Sequence, residues 1–154
     1  MSQGIREALD FLQGQVEAIP PKTDAHHGFV CAASGNGLSL ALEEMNGNNR
    51  YFEMVVSSFP IDDGQAGLSG RKRATVDLRV RYDIPRDQAF MMRMIAEDTA
   101  DLIDKLKGPN YDLVTTGIVS LITSPPIFEP ILDPQGERVA FVLTLPFDLL
   151  YLEA

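Results

Sequence analysis

Between Ala74 and Leu106 the apolar residues change their spacing from a period of about two to a period of about 3.6, and no other feature limits the fold as much. Val76, Leu78, Val80 and Tyr82 alternate with Thr75, Asp77, Arg79 and Arg81, which is the pattern of a strand with one face on a core and one polar face. Asp83-Ile84-Pro85 then opens a helix expected to run roughly from Pro85 to Leu106, with Asp83 as its cap and Pro85 in its first turn. Met91, Met92, Ile95, Leu102, Ile103 and Leu106 gather on one side of this helix, and Arg93, Glu97, Asp101, Asp104 and Lys105 decorate the remainder. Gly108-Pro109-Asn110 ends it. Because Met91 and Met92 fall on the apolar side, the methionines read as core filling in preference to an adaptable binding groove.

Elements on either side follow from the same rules. Ile5, Ala8, Leu9, Leu12 and Val16 recur at helical spacing over Gly4 to Ala18, with Ser2 as the expected cap and Pro20-Pro21 as the stop. Residues 22–49 are broken by glycines into two short apolar pieces, Phe29 to Ala33 and Leu38 to Leu42, either of which suits a short strand. Asn46-Gly47-Asn48-Asn49 reads as a turn leading into a strand over Tyr51 to Phe59, so a hairpin is expected there. Pro60 to Gly70, which contains Asp62-Asp63-Gly64, reads as a mobile connection.

The last third supplies strands over Gly117 to Ser124 and Arg138 to about Tyr151. A proline-rich excursion through Pro125, Pro126, Pro130 and Pro134 joins them, and Asp133-Pro134-Gln135-Gly136 is a turn signal. In the final strand Val139, Phe141, Leu143, Leu145 and Phe147 share one face, yet Ala140, Val142 and Leu150 make the other face apolar as well. Such a strand belongs at the centre of a sheet or beneath a partner. The whole reads as one α+β domain over 1–154: a mainly antiparallel sheet with the long amphipathic helix and the N-terminal helix packed against it, and irregular insertions at about 21–49 and 125–136.

Composition restricts function further. An apolar fraction of 45% and a charged fraction of 23% suit a globular domain and exclude wholesale disorder. The one cysteine, Cys31, rules out an internal disulfide, and Met1 to Ala18 lacks the basic start and apolar run of a signal peptide, so folding in a reducing cytoplasm is expected. Val139 to Leu152 is too short and too interrupted for a bilayer-spanning helix, so no membrane association is expected. A net charge of -9 argues against general nucleic-acid binding. The charge is uneven: residues 71–93 carry seven Lys and Arg against three Asp, net +4, which leaves the rest at -13.

Each cluster that invites chemistry has a plainer reading. Asp24, His26, His27 and Cys31 are metal-ligand types, but adjacent histidines diverge in an extended chain and no second cysteine supports them. Catalysis through Cys31 would need a base held against the thiol, which spacing alone does not supply. Gly35-Asn36-Gly37 lacks the rest of a phosphate loop, and Glu43-Glu44 and Asp62-Asp63 read as solvated carboxylates. Arg71-Lys72-Arg73 suits a phosphate backbone less well than the protection of a sheet edge. No cofactor, resident metal or enzymatic activity is therefore expected. The competing class is a small ligand- or metal-binding domain, or an enzyme, built on His26, His27 and Cys31. A dimeric regulatory module is a third class, for which the sequence offers no ligand signature.

A basic strand face on an otherwise acidic chain suits head-to-tail contact with an identical neighbour, and such contacts close into rings when the rotation permits. The arrangement resembles the tail terminator and tail-completion proteins of long-tailed bacteriophages and phage-like particles. The likeness lies in the Ile5-Arg-Glu-Ala-Leu9 helix, the Ala74 to Tyr82 strand, a helix from near Asp87 ending in Leu102-Ile-Asp-Lys-Leu106, and a closing strand. It spans most of the chain and departs from the family at Pro21 to Asn49 and Pro125 to Pro134. The resemblance implies a virion structural protein that forms a hexameric ring, caps the tail tube, and meets the tail tube protein on one side and head-to-tail connector or neck proteins on the other. DNA would meet it only by passing through the ring. Location would be the host cytoplasm during assembly and the tail or neck of the mature particle. Arg71, Lys72, Arg73, Arg79 and Arg81 are the interface candidates, with Asp62 and Asp63 in a contact loop.

Overall fold

Two long strands of opposite direction organise the molecule, because each has an unbroken apolar set on one face. The computed structural model describes residues 4–20, 28–31, 49–58, 61–62, 71–83, 88–107, 117–132, 134–136 and 138–152. In chain order the elements are α1 (Ile5–Glu17), β1 (Gly28–Cys31), β2 (Asn49–Val56), β3 (Ile61–Asp62), β4 (Arg71–Asp83), α2 (Gln88–Lys107), β5 (Ile118–Thr123), β6 (Ile127–Leu132) and β7 (Arg138–Leu152). β4 and β7 pair antiparallel from Arg71 opposite Leu152 to Asp83 opposite Ala140. The main path of the sheet runs β1-β2-β4-β7-β5; β3 continues the β2 side of β4, and β6 continues the β5 side of β7. This is an α+β fold with a mainly antiparallel sheet.

The alternation in β4 does what it predicts. Ala74, Val76, Leu78, Val80 and Tyr82 are buried with Phe141, Leu143, Leu145, Phe147, Leu149 and Tyr151 of β7, and both helices lie on this face. From α1 come Ala8, Leu12 and Val16, at every fourth residue, and from α2 come Ile95, Leu102 and Leu106. α1 packs on α2, β1 and β7, and α2 packs on β5. In the same cluster, toward the β1–β2 edge, Phe29 and Phe52 meet edge to face, with ring centroids 6.4 Å apart. Burying a side chain of the size of Leu or Phe stabilises by about 1.5–3 kcal/mol, so this single cluster supplies the main driving force for the fold.

β7 is central, as its two apolar faces require, with β4 on one side and β5 and β6 on the other. It contains Pro146, which cannot donate to a ladder. The Pro146 carbonyl accepts the Ser124 N–H at 2.8 Å, just where β5 has ended and β6 has not begun. In an antiparallel strand a residue's N–H and C=O point the same way, so the missing donor faces this break. Pro125, Pro126 and Pro146 thus mark one interruption in the sheet from both sides of it.

Several expectations are corrected. The excursion between the last two strands contains β6, which pairs with β7 from Ile127 opposite Thr144 to Leu132 opposite Arg138. The apolar Ile127, Phe128, Ile131 and Leu132 were outweighed in the sequence by Pro125, Pro126 and Pro130 among them. β1 runs parallel to β2, so the described strand that precedes β2 makes no hairpin with it; Leu38 to Leu42 and Asn46 to Asn48 lie outside the described residues. Ile61 and Asp62 pair with Arg73 and Lys72, which puts Asp62 in the sheet instead of a mobile connection. Asp83 is the last residue of β4, paired with Ala140, and residues 84–87 between it and α2, Pro85 among them, lie outside the described residues. Position N-cap of α1 is Gly4, with no side-chain cap bond; Ser2 lies outside the described residues.

Met92 is exposed, whereas Met94 is partly buried against the core. At about 100° per residue Met92 lies roughly 80° from Leu102 and so sits at the rim of the apolar stripe. Asp98 is nearer its centre and is buried.

The β6–β7 turn has Gly136 at φ 84, in the left-handed region, with nothing within 4 Å of a Cβ built there. Gly136→Ala therefore meets no clash and is expected to cost only backbone strain, about 1 kcal/mol, read as a lowered urea midpoint with an unchanged slope. An unchanged midpoint would mean that the turn relaxes to another conformation.

Candidate functional site

The sheet face away from the helices carries Arg73, Arg79 and Arg81, whereas Lys72, in register with the buried Tyr151, falls on the helix face, so the fold divides the basic residues that the sequence singles out. Arg79 stands opposite Glu53 of β2, and its Nη1 donates to Glu53 Oε1 at 3.1 Å. Arg79 is 42% exposed and Glu53 19%, so solvent screens the pair and it contributes no more than about 1 kcal/mol. Two residues on, Arg81 stands between Tyr51 of β2 and Val142 of β7 and is only 7% exposed. Val142 is buried too. A contact surface accordingly includes Arg79 but not Arg81, although alternation alone makes them equivalent.

The start of β4 is different. Lys72 is half-buried and Arg73 is exposed; Arg71 is the first residue of the strand, opposite Leu152. Asp62 pairs in register with Lys72, while Asp63 lies outside the described residues. Nearby, Val55 and Val56 end β2 and are exposed, and the chain beyond them is tied to β4 by Ser57 Oγ donating to the Thr75 carbonyl and the Thr75 N–H donating to Ser58 Oγ, both at 3.1 Å. Thr75 Oγ1 also donates to Asp148 Oδ1 of β7 at 3.1 Å. These bonds make the basic end of the sheet a fixed platform.

The sequence reading missed the β5–β6 rim. Ile122 is 65% exposed, Leu132 55% and Ile127 47%, and Val119 and Phe128 are also exposed. Phe128 stacks on Phe141, centroids 4.8 Å apart, which holds it along the rim. Among the described residues no strand pairs with the outer edge of β5 or β6. A signal for this surface was present: between Lys107 and Arg138 there is no Lys or Arg, but there are four acids, Asp112, Glu129, Asp133 and Glu137. Exposed apolar side chains gathered on one rim mark a contact surface more than the same number scattered would.

Of the alternative site, Asp24, His26 and His27 lie outside the described residues, and Cys31 is described only as the last backbone position of β1. Among the described residues no three His, Cys, Asp or Glu side chains converge, and no helix is long and apolar enough to cross a membrane. What the described residues offer is two candidate contact surfaces on one sheet, the start of β4 and the β5–β6 rim. No known family model matches the chain, and no characterised relative does either.

Proposed function

We propose that this chain is a structural subunit of a phage or phage-like tail, a ring-forming tail terminator that caps the tail tube and joins it to the head or neck. The observation that carries this reading is the exposed apolar rim of β5 and β6, at the edge of a sheet whose other strands bury one face under the two helices. A subunit of an assembly needs such a surface for its neighbour. The order of elements supports it as well, since the N-terminal helix, the long alternating strand, the following helix and the closing strand carry the resemblance to that family.

The mechanism is assembly. Subunits close a ring by side-to-side contact, one ring face adds to the last ring of the tube, and the opposite face presents no surface on which another tube subunit can add. Tail tube protein binds one face and neck or connector proteins bind the other. A chain of net charge -9 repels passing DNA, which favours transit over retention.

Particles produced without this chain test the reading. Overlong tubes, or tails without heads, are expected in electron micrographs, and normal length should return when the chain is supplied. Tails of normal length joined to heads in its absence would overturn the proposal.

A further inference from the structure

We propose that β6 is a releasable strand: it leaves β7 as a unit while the helices and the other strands stay folded, and in leaving it uncovers the edge of β7 at residues 140–144. This inference stands apart from the tail reading, and neither decides the other.

β6 is held differently from the rest of the sheet. β1, β2, β4, β5 and β7 each bury at least one side chain in the core cluster. In β6 every side chain whose burial is described is exposed: Ile127, Phe128, Glu129, Pro130 and Leu132. Ile127 and Glu129 stand opposite Thr144 and Val142 on the face away from the helices, and Phe128 stands opposite the buried Leu143 on the helix face, so neither face of β6 is covered. Among the described elements β6 pairs with β7 alone and packs appreciably on no other, and the stack of Phe128 on Phe141 is its ring contact there.

Ordering a strand costs backbone entropy whether or not its side chains are buried. For β6 the return is mostly ladder hydrogen bonds, whose net worth is small because water offers the same groups partners. A segment with exposed bonds and little buried apolar surface opens at a lower free energy than the whole fold. Its release leaves Phe141 and Val142 in register with Tyr82 and Arg81 of β4, so β7 keeps its place.

The direction of each backbone group follows from the bonds at the strand ends. The Pro146 carbonyl accepts the Ser124 N–H, and the Leu152 N–H donates to the Gly117 carbonyl, so the even-numbered residues of β7 point to the β5–β6 side. Ala140, Val142 and Thr144 therefore point to β6, whereas Phe141, Leu143 and Leu145 point to β4. Ile131, Glu129 and Ile127, the β6 partners of the first set, point to β7, which leaves Pro130 pointing outward. There its missing donor costs no ladder bond and blocks the addition of a further strand. β7 beneath it has no proline from Arg138 to Leu145. β6 thus ends the sheet with a blocked edge while it shields an open one.

Amide hydrogen exchange of the full chain, read residue by residue by NMR, tests the proposal. Protection factors of Val142 and Thr144 are expected to lie at least about tenfold below those of Leu143 and Leu145, their neighbours on the same strand. Protection equal within about threefold would show that β6 opens only with the whole fold, and would overturn the proposal. Ile127→Cys with Thr144→Cys, in a Cys31→Ser background, pins β6 to β7 across the face away from the helices. Its oxidised form is expected to protect Val142 at least about tenfold more than its reduced form, with Leu143 and Leu145 little changed. Unchanged protection of Val142 on oxidation would mean that its exchange reflects an exposed edge and not release, which equally overturns the proposal. Should the disulfide not form, Phe128→Ala, which removes the ring stack, is expected to lower Val142 protection about fivefold and to leave Leu145 as it was. A uniform fall at both positions would count against release of β6 by itself.

Discussion

Phe147→Ala should lower the free energy of unfolding by about 3–5 kcal/mol, a large part of the roughly 5–15 kcal/mol that holds a domain of this size together. Phe147 is among the largest fully buried side chains, and it stands in register between Val76 of β4 and Thr123 of β5. Truncation loses the transfer energy of the ring and leaves a cavity that two flanking strands, each paired on its far or near side, cannot collapse to fill. At about 2–4 °C per kcal/mol the melting temperature should fall by about 6–20 °C. Phe128→Ala provides the control, because its ring is part-exposed on the rim, where it stacks on Phe141. Its expected loss is about 1 kcal/mol, near the worth of an aromatic pair. A Phe147→Ala protein no less stable than Phe128→Ala would show that the core is not organised around β7.

The second large effect concerns the hydrogen bond from the Tyr82 hydroxyl to Asp98 Oδ2, 2.8 Å long and buried. Asp98 is 3% exposed on α2 and Tyr82 is 2% exposed at the end of β4. A carboxylate so placed loses its hydration, and each donor aimed at it is correspondingly important. Tyr82→Phe is expected to cost about 1.5–3 kcal/mol, because the donor goes while the acceptor stays buried. Asp98→Ala is expected to cost at least as much, since it removes the hydroxyl's acceptor and opens a small void. Combining the two should cost less than their sum, by about 0.5–3 kcal/mol, which urea unfolding of the four proteins in a cycle would measure. Losses that add within about 0.5 kcal/mol would mean that the bond does not tie the helix to the sheet.

That bond also shows where local pattern stops being informative. Asp98 shares the inward stripe with Ile95, Leu102 and Leu106, yet a carboxylate in a helix is ordinarily read as solvated. The hydroxyl of Tyr82, sixteen residues earlier, donates to it and offsets part of the cost of its burial. Arg81 is the counterpart on the other face: the alternation that places Val80 and Tyr82 inward puts Arg81 outward, and its burial beside Tyr51 and Val142 depends on strands remote in sequence. For the candidate site, then, charge type and strand face were legible, and accessibility was not. The β5–β6 rim was legible in part, through its lack of basic residues, but prolines obscured β6 because their effect on a strand depends on which edge they face.

By itself the sequence determined the elements whose periodicity is long and unbroken: α1, β4, α2, and β7 with its two apolar faces. Burial of a stripe or a face is a local demand, and the residues that make it are neighbours along the chain. Tertiary structure alone decided which strands pair, and hence the parallel β1–β2 contact, the place of Asp62 and Asp83 within the sheet, and the division of one row of arginines into exposed and buried members. Those outcomes depend on cross-strand partners brought together by the sheet, and backbone pairing carries no mark in the side chains of either strand read alone.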